Sequence, residues 1–184
     1  MPGYRRNYEG RLFFFTIVTK DRRDIFTDDS VSSALGQIIR QTCNERPWVT
    51  DAMVLLPNHL HAIWRMPEND RDYSTRISII KKRFTQWYLA TGRKEAKVSP
   101  GQHRHRRRGV WQERFWEHTI RNARDYHMHL DYIHINPVKH GYAAKPIDWP
   151  WSSFHRYVKN ECYERDWCGR VDLPGQVEYY WPEE

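Results

Sequence analysis

Two histidines stand at alternate positions of an apolar run that follows the turn pair Pro57-Asn58. In an extended strand, alternate side chains share one face and lie about 7 Å apart. His59 and His61 therefore point to the same side, while Leu60 points into the opposite layer. Two imidazoles on one face of a strand provide half of a transition-metal site. The rest of the chain has to supply a sheet around this strand and a further ligand.

The sequence around these histidines predicts an antiparallel sheet. Runs rich in β-branched and aromatic residues predict strands over residues 12–19, 48–56, 59–66 and 110–116. Because only Pro57-Asn58 separates the second strand from the third, we expect these two to pair as a hairpin. The strand that carries the histidines is then expected to be central in the sheet.

Apolar residues at helical spacing predict three long helices between and after these strands. The first helix has a cap within residues 28–30, the second at Ser74 and the third at Asn122. The third helix is expected to end at Asn136, because a proline disfavours helical geometry in the residue before it. The order of elements indicates an α+β fold close to a ferredoxin-like plan, an antiparallel sheet with helices packed on one face.

The composition of the chain fits a nucleic-acid partner and an ordinary basic soluble protein equally well. Lys and Arg outnumber Asp and Glu by 30 to 23, and 15% of the residues are aromatic, a combination that suits phosphate binding and base stacking. Much of the positive charge lies in residues 93–109, a predicted irregular loop. A solvated surface is the alternative for each charge. The candidate DNA contacts are Arg5, Arg6, Lys81, Lys82, Arg104, Arg106, Arg107, Arg108 and Lys139.

The remaining composition predicts a cytoplasmic protein that has no membrane partner. No apolar run approaches the length of a membrane span, and the basic N-terminus lacks the apolar stretch of a signal peptide. Cys43, Cys162 and Cys168 form an odd set without disulfide-framework spacing, which is typical of reduced thiols in the cytosol.

The third predicted helix carries the side chains that can complete the histidine pair. Tyr132 and Asn136 are four residues apart, so on a helix they share one face about 6 Å apart along the axis. A helix laid over the sheet could offer an amide oxygen from Asn136 to a metal ion and place the Tyr132 phenol beside it.

This combination of a His-hydrophobic-His strand and a helical tyrosine followed by an amide resembles the single-tyrosine HUH endonucleases. Within that superfamily, several stretches resemble the REP-associated tyrosine transposases, and together they span nearly the whole chain. These stretches are Tyr4-Arg5-Arg6, Leu55 to His61, Arg114 to His118, Asp131 to Gly141, and Trp149 to Phe154.

The resemblance implies a ferredoxin-like HUH nuclease fold and cleavage of single-stranded DNA without ATP. It implies that His59, His61 and Asn136 hold a divalent ion, Mg²⁺ or Mn²⁺, at the scissile phosphate. Tyr132 would attack phosphorus to form a 5′-phosphotyrosine link and a free 3′-OH, and a 3′-OH would later rejoin the strands. The implied substrates are REP sequences, imperfect palindromes that fold as DNA hairpins with a single-stranded foot.

The sequence also predicts how the chain is organised. We expect a transposase domain over residues 1–145 and a C-terminal extension over residues 146–184 that packs on this domain or on DNA. The aromatic residues of the extension favour a monomer over a homodimer, following the resemblance.

Three other functions compete with this interpretation. A non-catalytic module that binds DNA hairpins could use the same fold. A zinc hydrolase in a β/α barrel would need about 250 residues, more than the 184 present. A replication initiator or relaxase is disfavoured because the chain has no P-loop and no second tyrosine on the face of Tyr132.

Overall fold

The computed structural model describes residues 10–104 and 108–169. The predicted DNA contacts Arg5, Arg6, Arg106 and Arg107 lie outside the described residues, as do residues 170–184 of the predicted extension. These predictions stay predictions.

The described residues form an antiparallel sheet with helices on both of its faces. The strands are β1 (Leu12–Val18), β2 (Val49–Leu56), β3 (His59–Arg65) and β4 (Trp116–Thr119), in the order β2-β3-β1-β4. The helices are α1 (Asp29–Glu45), α2 (Tyr73–Ala90), α3 (Pro100–Arg104), α4 (Ala123–Lys139) and α5 (Phe154–Lys159). The α+β antiparallel fold is confirmed, and β3 is an internal strand as predicted.

The expectation that the helices share one face of the sheet is wrong. Alternate residues of β1 and β3 contribute to two separate apolar clusters, one containing residues of α1 and α2 and the other residues of α4. Both strands are buried along nearly their whole length. A strand that is apolar on both sides needs cover on both sides, and α4 provides the second cover.

The hairpin that presents the histidines forms as predicted. Leu56 pairs with His59 across the Pro57-Asn58 turn, and the register continues to Val49 opposite Arg65 with one irregularity between Thr50 and Ala52. β3 also pairs along its full length with β1. Pairing on both sides fixes the positions of the histidines relative to the rest of the sheet.

The predicted starts of two elements are wrong. The fourth strand was expected over residues 110–116, but β4 begins at Trp116, and only an isolated bridge joins Trp111 to Thr19. Val110 and Trp111 are buried in the α1/α2 cluster, and the Lys20 N–H donates to the Val110 carbonyl at 2.9 Å, so this segment pairs with the chain after β1 only over a short length. The second helix is capped by Asp72, which accepts from the Thr75 N–H, rather than by Ser74.

Helix α4 continues through Pro137 to Lys139, although it was expected to stop at Asn136. Proline removes one backbone donor and crowds the carbonyl four residues earlier, but only two helical residues follow it here. The His140 N–H donates to the Asn136 carbonyl at 3.0 Å, and the Gly141 N–H donates to the Val138 carbonyl at 3.0 Å. These bonds close the final turn in spite of the proline.

The C-terminal segment, which we define as residues 146–169, packs against the outer side of β2. Ser152 forms a bridge with Val54, the Leu55 N–H donates to the Trp151 carbonyl at 2.8 Å, and the Ser153 N–H donates to the Met53 carbonyl at 2.8 Å. The free edge that β2 would otherwise present is therefore covered over these residues. The division of the chain at residue 145 stays a prediction.

The same segment packs against α4. Tyr163 donates a hydrogen bond to the carboxylate of Asp131, and Ser153 Oγ lies 2.9 Å from His134 Nε2. Asp131 is adjacent to Tyr132, and His134 lies between Tyr132 and Asn136, so the C-terminal segment fixes the helix close to the candidate site.

Among the described residues, no helix combines the length and apolarity that a membrane crossing requires.

Candidate active site

The hairpin and α4 bring the two histidines and Tyr132 together in a largely buried site. The ring centroids of His59 and His61 are 4.7 Å apart, and the Tyr132 ring lies 5.2 Å from that of His61. Asn136, one turn further along α4, is fully buried. The alternation of β3 and the four-residue spacing on α4 therefore bring His61 and Tyr132 together, with the Asn136 amide next to the Tyr132 phenol. The roles of these residues as metal ligands and nucleophile stay predictions.

Three residues that the sequence analysis did not single out orient the two imidazoles. His61 Nδ1 lies 2.9 Å from Thr16 Oγ1, and His59 Nδ1 lies 2.6 Å from Asn58 Oδ1. Asn58 in turn donates to the carboxylate of Asp24 at 2.7 Å. A hydrogen bond at one ring nitrogen fixes which nitrogen can bind a metal ion. Both histidines would therefore bind through Nε2.

Burial keeps both histidines neutral near pH 7. Desolvation, assisted by the positive charges of His140 and Arg22, lowers the pKa of His59 from 6.5 to about 3. The pKa of His61 falls well below its ordinary value for the same main reason, with the charge of His59 as the next contribution. A metal ion needs the neutral imidazole, so these rings have the protonation state that metal binding requires.

The amide of Asn136 fits the role of a third ligand. Its oxygen and nitrogen are both buried, and neither makes a hydrogen bond of ordinary geometry within the described residues, although the amide lies close enough to the Tyr132 phenol to lower its pKa. A buried polar group left in this state costs about 1–3 kcal/mol, and a metal ion beside the two histidines would supply the partner that the oxygen lacks. The donor set of two imidazoles and one amide oxygen suits a divalent transition ion such as Mn²⁺ and tolerates Mg²⁺.

The Tyr132 phenol lies in a setting that opposes its ionisation. Burial raises the pKa of Tyr132, and the Asn136 amide and the positive charge of Arg22 only partly oppose that rise. Lys139 places its Nζ 5.2 Å from the centre of the Tyr132 ring. A negative charge that develops on the phenol therefore has a cation nearby.

The predicted DNA contacts that the structure describes do not form one surface. Lys139 is exposed beside Tyr132, while Lys82 is exposed on α2, on the other face of the sheet. Lys81 lines an open groove of about 1100 Å³ between α2 and residues 111–115, together with Lys82 and Arg108. It donates to the Gln112 and Glu113 carbonyls at 2.6 and 3.1 Å, and burial lowers its pKa to about 8.

The remaining two basic candidates lie in the predicted loop. Arg104 is exposed at the end of α3, and Arg108 forms an ion pair with Glu95 at 2.7 Å. The ion pair with Glu95 therefore ties together the two ends of the loop over residues 93–109, which also contains the short helix α3. Binding of DNA by these arginines stays a prediction.

A second group of metal-ligating side chains lies near the start of α4. Atoms of His118, Asp125 and His129 that could act as ligands are all within 4.8 Å of one another. The Asp125 carboxylate already accepts from His118 Nε2 at 2.9 Å and from the Arg121 N–H at 2.9 Å, and His129 Nδ1 lies 3.2 Å away. This cluster links β4 to the first turn of α4, which the sequence analysis described only as a capped helix start.

Two histidines on a central strand, facing a tyrosine and an amide on one helix, define the class of single-tyrosine HUH transposases. Residues 12–136 match the protein family described as "Transposase IS200 like". This match covers more than half of the chain and includes the histidines, the tyrosine and the asparagine.

Comparison with individual proteins shows which group within this family the chain resembles. A REP-associated tyrosine transposase of Escherichia coli (strain K12) is 42% identical over 172 residues, which cover 93% of each chain. A protein of Haemophilus influenzae assigned to the same group is 44% identical over 94% of this chain and 97% of its own length. A solved structure of a REP-associated tyrosine transposase bound to a REP hairpin has a TM-score of 0.73 and 42% identity, and the match covers 93% of each chain.

The chain therefore belongs to the IS200-like transposases and, within them, to the REP-associated tyrosine transposases. This family is a class of enzymes, and HUH transposases generally depend on a metal ion.

Proposed function

We propose that this protein is a metal-dependent single-strand DNA endonuclease and strand transferase that binds REP-type DNA hairpins. It cleaves and rejoins them through a 5′-phosphotyrosine intermediate. The observation that carries the proposal is the close approach of the Tyr132 ring to His61, which lies beside His59, with the buried Asn136 amide next to the Tyr132 phenol. The relatives support the substrate, because one of them was solved bound to a REP hairpin.

His59 and His61 through Nε2, and Asn136 through Oδ1, would hold a divalent ion, Mg²⁺ or Mn²⁺. When bound, such an ion holds and polarises the scissile phosphate and neutralises part of its charge. The preset hydrogen bonds of both imidazoles to Thr16 and Asn58 support this ligand set, because they keep Nε2 of each ring directed away from the protein donors.

Tyr132 is the nucleophile in the proposed reaction. Its phenol oxygen forms a bond to phosphorus while the bond from phosphorus to O3′ breaks, which leaves a 5′-phosphotyrosine and a 3′-hydroxyl group. An ordinary phenol with a pKa near 10 is about 4 kcal/mol from ionisation at pH 7, and burial raises the pKa of Tyr132 further. Lys139, 5.2 Å from the ring, stabilises the charge as the proton leaves.

The same geometry supports the reverse step. The phosphotyrosine link keeps the energy of the phosphodiester bond, so a 3′-hydroxyl group can attack it and release Tyr132. If the attacking end belongs to another strand, the result is strand transfer, and if it belongs to the same strand, the nick is resealed. No external energy source is needed in either case.

We further propose that the protein acts as a monomer in the cytoplasm. The C-terminal segment supports a monomer because it occupies the outer side of β2, where another sheet could otherwise add. Chromosomal DNA as the substrate supports a cytoplasmic location, and the free state of Cys43, Cys162 and Cys168 agrees with it.

A labelled REP-hairpin oligonucleotide tests the proposal directly. We expect the wild-type protein with Mn²⁺ or Mg²⁺ to form a covalent adduct that survives denaturing electrophoresis, and chelation to prevent it. Tyr132→Phe should form no adduct while it binds the hairpin with unchanged affinity. Tyr126→Phe removes a hydroxyl from the same helix, 3.2 Å from the Tyr157 hydroxyl, and should keep the adduct.

Binding without any adduct, across both metals and several hairpin sequences, would contradict the enzymatic proposal. That result would instead support the alternative of a non-catalytic hairpin-binding module. An adduct that persists in Tyr132→Phe would show that a different residue is the nucleophile.

A further inference from the structure

The loop between β1 and α1 contains an unusual backbone pair. Asp21 and Arg22 have φ values of 56° and 49°, and they are the only adjacent non-glycine residues with positive φ in the ranges 10–104 and 108–169. Residues with a Cβ atom rarely adopt such conformations, which are strained and concentrate at functional sites. A glycine would adopt this backbone without that strain.

Hydrogen bonds attach this loop to the turn that precedes the first histidine. The Thr19 N–H and hydroxyl both lie within reach of the Asn58 carbonyl, at 2.9 and 3.0 Å, and the Phe26 N–H donates to the Pro57 carbonyl at 2.9 Å. The Arg22 N–H turns back onto the Thr19 carbonyl at 3.2 Å. Arg22 is therefore carried on the end of β1, directly beside the position at which His59 enters β3.

The Arg22 side chain differs from its basic neighbours. Lys20 forms an ion pair with Asp21 at 3.3 Å, and Arg23 donates to the Lys94 carbonyl at 2.9 Å. Arg22 is exposed, and no hydrogen bond or ion pair of its guanidinium is seen within the described part of the chain. Two residues further along the loop, the Asp24 carboxylate accepts from Asn58 at 2.7 Å, and the Asn58 side chain lies 2.6 Å from His59 Nδ1. The loop that carries Arg22 therefore borders the histidine pair.

We propose that Arg22 donates hydrogen bonds to a non-bridging oxygen of the scissile phosphate. The left-handed turn at Asp21-Arg22 places this arginine at the edge of the catalytic site. This inference rests on the proposed function, because it assigns a further substrate contact to the same site. A guanidinium fork matches the oxygens of a phosphate. With Lys139 at the tyrosine, Arg22 gives the reacting phosphodiester a second fixed cation.

A binding experiment with uncleaved DNA isolates this contact. In the Tyr132→Phe background, each linkage of the single-stranded foot of the hairpin is replaced in turn by an uncharged methylphosphonate. We expect Arg22→Gly to weaken binding of the all-phosphate hairpin about tenfold. When the methylphosphonate replaces the linkage that the wild-type protein cleaves, the proteins with Arg22 and with Arg22→Gly should bind the hairpin with equal affinity. At every other linkage the difference in affinity should remain.

Asp21→Gly is the matched control, because it relieves the same kind of backbone strain without removing the guanidinium. Both glycine variants should raise the melting temperature slightly. Asp21→Gly should keep the binding pattern and the rate of adduct formation, whereas Arg22→Gly should slow adduct formation about a hundredfold. Arg22→Lys should recover only part of that rate, because a lysine keeps the charge but lacks the fork.

Equal weakening of every methylphosphonate hairpin by Arg22→Gly would overturn the inference, and so would a dependence that maps to an uncleaved linkage. An unchanged affinity and rate in Arg22→Gly would overturn it as well, while the wild-type adduct would keep the proposed function intact. If the wild-type protein forms no adduct on any hairpin, the proposed function fails, and the absence of a scissile linkage overturns the inference with it.

Discussion

The two faces of the central sheet are both buried, but they are filled with different kinds of side chain. The face toward α1 and α2 holds aromatic and aliphatic groups in close contact, with Trp48 and Trp64 at a ring distance of 4.4 Å. The face toward α4 contains both apolar residues and buried polar groups. Those polar groups are His59, His61, His129, His134 and Asn136.

This difference shows how a small protein can maintain a costly site. Buried polar groups reduce stability unless they are fully hydrogen-bonded, and the buried histidines and Asn136 lie on the α4 side of strands β1 and β3. The apolar packing on the other side of the same strands offsets that cost. One strand, β3, therefore contributes to stability through one set of alternate residues and to chemistry through the other.

Adjacent residues of β3 allow the sharpest test of this division. Leu60→Ala should lower the free energy of unfolding by about 2–5 kcal/mol because it opens a cavity in the α1/α2 face. Its adduct formation per folded molecule should stay close to that of the wild type. His61→Ala should remain folded and lose metal-dependent cleavage. Denaturant unfolding and single-turnover cleavage at low temperature measure the two effects.

The comparison would fail if Leu60→Ala lost cleavage in the folded fraction as completely as His61→Ala. Such a result would mean that the geometry of the pocket depends on packing across the thickness of the sheet. Unchanged cleavage by His61→Ala would remove His61 from the proposed metal site.

A smaller effect is expected from acid. Burial lowers the pKa of His129, so between that lowered value and pH 6.5 the residue is neutral in the folded protein while the unfolded chain takes up a proton. Because the unfolded state then binds more protons, stability should fall as the pH falls below about 6.5. His129→Asn should give a flatter dependence of melting temperature on pH between 7.5 and 5.

Asp125 contributes in the same direction at lower pH. Burial alone would raise its pKa, but the Arg121 backbone N–H and His118 hold the pKa below its ordinary value. Its stabilising effect is present above the unfolded pKa and is lost as the pH falls through the folded one.

If the melting temperatures of His129→Asn and the wild type changed in parallel between pH 7.5 and 5, titration of His129 would not contribute to acid sensitivity.

The smallest effects are expected from exposed cations on the two faces. Lys82→Ala should weaken hairpin binding about twofold to threefold and lower the salt slope by about one, without changing the cleavage rate of bound DNA. Lys139→Ala should weaken binding similarly and also slow cleavage, because Lys139 lies beside Tyr132. Unchanged affinity of Lys82→Ala at several salt concentrations would exclude the α2 face from the DNA-binding surface.

The residues that meet in the pocket could be predicted because each pair is set by local periodicity. Alternation along a strand places His59 and His61 on one side, and the helical repeat places Tyr132 and Asn136 on one side. Both rules act within a few residues and do not depend on the rest of the fold. That the two pairs face each other was expected from the resemblance of the motifs.

The supporting hydrogen bonds could not be predicted in this way. Thr16 lies opposite His61 only because β1 and β3 pair in one particular register, which the sequence of either strand does not specify. The link from Asp24 through Asn58 to His59 depends on the conformation of an irregular loop. The side of the sheet covered by α4 likewise depends on how the chain crosses from one face to the other.

The bonds between the C-terminal segment and β2 also determine when the molecule can be completed during synthesis. Tyr157 donates to the carbonyl of Asp51, which is made 106 residues earlier. At about 5–20 residues per second, β2 leaves the ribosome roughly 5–20 s before the residues that cover its edge. A nascent chain therefore carries an open strand edge for that time. Slow translation of the last third of the chain should raise the yield of aggregated protein. Chaperones that bind the open edge of β2 should lower that yield.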